Sequence, residues 1–108
     1  MLFEVIAEDA VWRVPGSAPV SREYRGREAI FDLFRATRRL TDGTYLSELR
    51  WAAAEGAHAV AVYRARGSRL GRELDIDQVL LITFDADGRW QEVVAVPTDP
   101  PAFEAFWR

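Results

Sequence analysis

Asp75 and Asp77, two residues apart with Arg72 just upstream, are the residues of this sequence that most invite acid–base chemistry. One carboxylate can activate a water while a second, tuned differently, protonates a substrate oxygen. In a strand, however, residues two apart share a face, so both aspartates point away from the face of Gln78 and Leu80. Closing the strands symmetrically about a Gly67–Gly71 turn sets Arg66 against Glu73 and Arg64 against Asp75. It also sets Tyr63 beside Ile76 and Ala61 beside Gln78 on the other face. Opposite charges directly across a ladder contribute about 0.2–1 kcal/mol each. A solvated salt-bridge face is therefore the expected role of these aspartates. A bulge that moved the register by one residue would turn them inward.

The remaining reactive side chains are sparse. His58 is the only histidine, and it follows Gly56-Ala57 where a strand begins, as a surface or capping residue would. Asp85-Ala86-Asp87-Gly88 has the opening of a calcium loop, but the later bidentate-glutamate position is Val96, so a hairpin turn is expected and no metal. Arg35, Arg38 and Arg39 could hold an anion, yet their spacing places them on the wet face of a helix. Tyr45 and Tyr63 are the best polar candidates for a cavity wall, because a phenol packs as an apolar body and still donates a hydrogen bond. With 0 cysteines there is no thiolate nucleophile, disulfide or cysteine-based metal site. No phosphate loop, nucleophile elbow or HExxH stretch is present, and no cofactor is expected.

At 108 residues the chain suits one domain spanning 1–108 with a single core. Apolar residues are 49% and charged ones 29%, ordinary for a globular protein. A net charge of −3 speaks against nucleic acid as a partner, since that binding rests on cations that neutralise phosphates. No apolar run nears the roughly 20 residues that span a bilayer, so no membrane partner is expected. Met1-Leu2-Phe3-Glu4 lacks the basic start and apolar core of a signal peptide, and a cytoplasmic location is expected.

The elements that must position these side chains follow from periodicity. Leu2, Phe3, Val5 and Ile6 look like the last turns of a helix. Ala10 to Pro15 is a short strand, with Trp12 and Val14 on one face. Pro15-Gly16-Ser17-Ala18-Pro19 is turn chemistry. From Arg27 to about Leu40, the residues Ile30, Leu33, Phe34, Thr37 and Leu40 recur at helical spacing, and Asp42-Gly43 stops that helix. Thr44 to about Ala53, Ala57 to Arg66, Glu73 to Phe84 and Arg89 to Val96 read as four antiparallel strands. Ala102 to Trp107 reads as a short terminal helix. The order predicts an α+β fold, with helices packed on one face of a curved antiparallel sheet.

Several stretches carry a family likeness. Ala7-Glu8-Asp9-Ala10-Val11-Trp12, Tyr24-Arg25-Gly26-Arg27-Glu28-Ala29-Ile30, Asp87-Gly88-Arg89 and Phe103-Glu104-Ala105-Phe106-Trp107 together resemble the nuclear transport factor 2-like superfamily, and within it the SnoaL-like and ketosteroid-isomerase-like small proteins. The likeness runs over nearly the whole chain. It implies a strongly curved antiparallel sheet and helices that form a cone around an apolar cavity. It also implies a first helix of which this sequence carries only the end. Many relatives pair through the outer face of the sheet, so a homodimer is expected. The uncovered apolar surface left by the missing helix predicts self-association, a start site placed too late, or an element exchanged from a partner chain.

The family's ketosteroid isomerases use an aspartate base near the end of the first strand. A protonated aspartate on the long strand and a tyrosine from the first helix hold the oxyanion. Carried over residue by residue, the base falls on Val14 and the acid on Leu80, while the tyrosine's helix is missing. Neither Val nor Leu exchanges a proton, so isomerisation by that machinery is excluded. Likeness to limonene epoxide hydrolases would give Asp75, Arg72 and Asp77 an Asp-Arg-Asp role, against which the strand parity argues. The expected ligand contacts are Trp12, Val14, Phe34, Tyr45, Tyr63, Gln78 and Leu80. Ile6, Leu33, Val93, Ala95 and Pro97 should add apolar wall, and Ser47 and Gln91 polar handles. Two functions are compatible with that wall. One is a binder of a small hydrophobic molecule that also acts as isomerase, cyclase or hydrolase without the usual Asp base. The other is a non-enzymatic ligand-binding or dimeric interaction module.

Overall fold

The computed structural model describes residues 5–108. Its elements are β1 (Ile6–Arg13), β2 (Glu23–Arg25), α1 (Arg27–Leu40), β3 (Leu46–Glu55), β4 (His58–Arg69), β5 (Arg72–Phe84), β6 (Trp90–Pro97) and α2 (Pro100–Trp107). The strands form one mixed, open sheet in the order β2-β1-β6-β5-β4-β3. Strands β3 to β6 make the expected antiparallel meander. Strand β1 extends it by running parallel to β6, and β2 pairs antiparallel to β1.

The helix tail expected through Ile6 ends earlier, because Ile6 already pairs with Trp90 of β6. Leu2 and Phe3 lie outside the described residues. An irregularity between Ile6 and Val11 breaks strict alternation, so Ile6, Ala7, Ala10, Val11 and Trp12 are all buried. Helix α1 then starts at Gly26, whose φ of 89° favours glycine. The Gly26 amide donates to the Ala10 carbonyl at 2.7 Å, and the Arg27 guanidinium donates to the Ile6 carbonyl at 3.2 Å. Those two bonds fix the helix entry on β1. The apolar face of α1 buries Ile30 and Leu33, while Leu40 is 39% exposed and lies past the core.

The β4–β5 hairpin turns on two residues, Leu70 (φ 52°) and Gly71 (φ 77°), and not on the five from Gly67 to Gly71. Pairing therefore slides by two residues, setting Arg66 opposite Asp75, Arg64 opposite Asp77, and Tyr63 opposite Gln78. A slide of two keeps every side chain on its face. Ala61, Ala65, Leu74, Ile76 and Leu80 are consequently buried toward the helices, and Arg64, Arg66, Asp75 and Asp77 lie on the outer face. No helix among the described residues is long and apolar enough to cross a membrane.

Candidate functional site

A cavity of about 430 Å³ lies between the inner face of the sheet and the two helices. Strand β1 and the residue after it contribute Trp12 and Val14, and helix α1 contributes Leu33, Phe34, Thr37 and Arg38. Tyr45, Leu46 and Ser47 come from the start of β3, Tyr63 from β4, Gln78 and Leu80 from β5, and Trp90 and Ala95 from β6. Phe103 and Trp107 of α2 and Val20 of the β1–β2 loop complete the wall. The structure thus brings Trp12, Val14, Phe34, Tyr45, Tyr63, Gln78 and Leu80 around one space.

Aromatic edges build much of that wall. Trp12 meets Phe34 edge-on at 5.1 Å between ring centroids, and Phe106 meets Trp107 at 4.8 Å. Such T-shaped pairs contribute about 0.5–1.5 kcal/mol beyond the area they bury. Tyr45 lies 5.8 Å from Trp107, at a tilt. Its backbone is held by Thr41, a buried helix-end residue whose hydroxyl donates to the Thr37 carbonyl at 2.8 Å and accepts the Tyr45 amide at 3.0 Å. Burial pushes the Tyr45 phenol up to about 12. At neutral pH it is a hydrogen-bonding phenol and no base. The indole Nε1–H of buried Trp107 has no acceptor among the described residues.

The loop that carries Val20 is tied down at both ends. Ser17 donates to Glu104 of α2 through its hydroxyl at 2.8 Å and its amide at 3.3 Å. The Tyr24 hydroxyl donates to the Val20 carbonyl at 2.6 Å. A side chain at Gly16 would approach Glu104 Oε2 to 3.0 Å, so the glycine allows this close docking of loop on helix.

Val14 and Leu80 are both buried in the wall. The wall contains no carboxylate and no histidine among the described residues. Asp75 and Asp77 sit on the other face, where Arg64 Nε reaches Asp75 at 2.7 Å and Arg64 Nη1 reaches Asp77 at 3.3 Å. The Arg64 hydrogen bond holds the Asp75 carboxyl below the usual carboxylate range, opposite to what a general acid needs. Arg72, the third member of the Asp-Arg-Asp idea, is engaged elsewhere. Its Nη1 lies 3.0, 3.0 and 2.7 Å from the backbone oxygens of Ala105, Phe106 and Arg108, at the end of α2.

Of the further wall positions read from the sequence, Leu33, Ala95 and Ser47 line the cavity. Ile6 and Val93 are buried in the core instead, Pro97 is buried at the end of β6, and the Gln91 amide turns to Asp9. His58 is exposed at the start of β4. The Asp85 carboxylate accepts the amides of Asp87 and Arg89 at 2.8 and 2.9 Å, which makes the calcium-like stretch a hairpin turn. No group of residues that could hold a metal is found among the described residues. Sequence reasoning missed Val20, Thr37, Arg38, Leu46, Trp90, Phe103 and Trp107. The helical period gave a signal for Thr37, since Phe34 lies three residues before it.

Comparison with known proteins agrees with this architecture. The sequence pattern of the SnoaL-like domain matches residues 1–93. An uncharacterised protein of Mycobacterium tuberculosis is 32% identical over 107 residues, covering 98% of this chain and 81% of its own length. The structure of Bal32a, from a soil-derived mobile gene cassette, superposes with a TM-score of 0.92 at 28% identity, over 97% of this chain and 80% of that one. A protein of Xanthomonas campestris with a cystatin-like fold superposes with a TM-score of 0.87 at 25% identity, over 98% of this chain and 82% of that one. The family match covers most of the chain, and the relatives repeat its sheet and helices along nearly all of it; the chain belongs to the SnoaL-like family.

Proposed function

We propose that residues 1–108 form one SnoaL-like domain that binds a small hydrophobic molecule in the cavity, as a cytoplasmic homodimer. The composition of the wall carries this reading. It is a space of about 430 Å³ bounded by Trp12, Phe34, Tyr63, Trp90 and Phe103, with few polar groups. Concave, mostly apolar sites with a small number of placed hydrogen-bonding groups are the usual form of small-molecule pockets. Trp12, Val14, Phe34, Tyr45, Tyr63, Gln78 and Leu80 are the contacts under this reading, with the phenols and the Gln78 amide orienting the ligand. Native mass spectrometry of the purified chain against a hydrophobic metabolite library tests it. One ligand per chain is expected, and filling the cavity with Leu80→Trp should abolish the complex. Complexes that survive Leu80→Trp, or none at all, would refute the reading.

Between an enzyme and a binding module, the wall favours the module, because it offers no proton donor or acceptor of suitable strength. Isomerase, cyclase or hydrolase activity would have to rest on positioning and polarisation by Tyr45, Tyr63 or Gln78. Joint Tyr45→Phe and Tyr63→Phe substitution should then abolish turnover of any substrate found, and unchanged turnover would remove those roles.

The pairing surface is the outer face of the sheet. Trp51, Val62, Val79 and Val96 form one cross-strand row, and Ala53, Val60, Leu81 and Val94 the next. Trp51 is 54% and Leu81 45% exposed. Large exposed apolar side chains gathered on one face are the mark of an association surface. Light scattering at micromolar concentration should give a dimer, and Trp51→Glu with Leu81→Glu a monomer. A wild-type monomer would sink the pairing, and recovery from the membrane fraction would sink the cytoplasmic placement.

A further inference from the structure

Among the described residues, the cavity wall carries one kind of charge and one side chain that bears it, Arg38. The arginine one turn earlier, Arg35, pairs with Asp32. Arg13, Arg64 and Arg66 are likewise held by carboxylates. Arg38 makes no ion pair among the described residues, and no carboxylate lines the space it borders. It is exposed, so it stands at the rim of the cavity, where the α1 end meets the start of β3. Its backbone is fixed there. The Arg38 carbonyl accepts the Gly43 amide at 2.7 Å and the Thr41 hydroxyl at 3.2 Å.

We propose that the ligand of this cavity is a hydrophobic acid, an apolar body bearing one carboxylate that Arg38 holds at the rim. The inference rests on the binding reading above and deepens it. An apolar interior against aromatic edges takes the body. A guanidinium presents paired N–H donors that match a carboxylate, and such charge-assisted bonds are about twice as strong as neutral ones. A cationic ligand would meet Arg38 with no carboxylate among the described wall residues to offset the repulsion. A neutral acceptor would gain a weaker hydrogen bond from it than a carboxylate does. The competing explanation is that Arg38 only complements the negative end of the α1 dipole, as a cation in a last turn does. That role would change stability without changing which ligands bind.

Matched probes separate the two. Anthracene-2-carboxylate and the neutral anthracene-2-carboxamide are titrated into the full chain by calorimetry at low salt and at high salt. The wild type should bind the acid roughly tenfold more tightly than the amide, in line with a hydrogen bond to a charged group, and salt should shrink that preference. Arg38→Gln should reduce the ratio to about one. Arg38→Lys should keep part of the ratio, and Arg35→Gln all of it. Equal binding of acid and amide by the wild type overturns the inference, as does an unchanged ratio in Arg38→Gln. If the amide binds and Leu80→Trp excludes it, that failure belongs to the anion alone and the cavity reading stands. Binding that ignores Leu80→Trp, or failure of both probes to bind, removes the cavity reading and the inference together.

Discussion

Replacing Tyr45 with Phe removes one hydroxyl from the cavity wall, and the effect of that hydroxyl on stability should depend on pH. Burial against the aromatic wall raises the phenol to about 12, whereas in the unfolded chain it titrates near 10. Below about pH 10 the phenol is neutral in both states and contributes no pH dependence. Above that the unfolded chain loses the proton while the folded chain keeps it. The unfolded state then binds fewer protons, so stability falls as pH rises, until the folded phenol ionises too. A shift of about two units corresponds to about 2.7 kcal/mol in full, and to about 2 kcal/mol by pH 11.5. Urea unfolding followed by tryptophan fluorescence, at intervals from pH 8 to pH 11.5, measures this in wild type and Tyr45→Phe. Every other titrating group is shared, so the difference between the two chains isolates Tyr45. The wild type should lose about 2 kcal/mol relative to the variant across that range. A difference that stays flat would refute the argument, as would absorbance at 295 nm showing every tyrosine ionising together near pH 10. Either result would mean that water reaches the phenol and that the wall beside Trp107 is wet.

Other substitutions test the frame around the cavity. Leu70 adopts φ 52° at an exposed hairpin tip, a region costly for a γ-branched side chain. Leu70→Asn should raise stability by about 1 kcal/mol in urea unfolding, and a loss would show that the turn tolerates Leu without strain. Arg72→Met should lower stability by about 1–2 kcal/mol by freeing the oxygens at the end of α2. It should also speed hydrogen exchange in α2 before the sheet, and unaltered α2 exchange would contradict the tie. Joint Asp75→Asn and Asp77→Asn substitution should leave binding in the cavity unchanged, since both lie on the outer face. A loss of binding would revive an acid–base role for them.

Much of the frame was legible because it rests on short-range rules. The period of Ile30 and Leu33 and the stop at Asp42-Gly43 gave α1 its bounds, and Asp87-Gly88 gave the β5–β6 turn. The two-residue error at the β4–β5 hairpin arose because Gly67 looked like part of a turn. Its actual reason lies in tertiary structure. A side chain there would sit 3.4 Å from the Tyr45 backbone and 3.6 Å from the Thr41 methyl, so the glycine makes room for the segment that enters the cavity. Side-chain faces survived the error only because it was an even number of residues. The parallel pairing of β1 with β6 was not legible at all. It joins segments some eighty residues apart, and nothing in either strand states its partner.

The site divides along the same line. Tyr63, Gln78 and Leu80 could be placed because alternation along a strand fixes a face, and Trp12 and Val14 for the same reason. Arg38 could not, because on α1 it belongs to the wet side by period and becomes a wall residue only where the helix ends. There the chain turns through Thr41, Asp42 and Gly43 and brings β3 back across the helix end, so a side chain that would otherwise face water borders an enclosed space. Trp107 was hidden for a related reason. Its burial depends on α2 docking, and that docking is set by Ser17 on Glu104 and Arg72 on the last carbonyls, contacts from loops and hairpins far away in sequence. The frame is therefore written in local pattern, whereas the groups that would recognise a ligand at the rim and beside α2 are placed by long-range closure. Residues that set ligand choice among SnoaL-like relatives should accordingly be sought first at the α1–β3 junction and on α2, where a single substitution alters the wall without disturbing a strand.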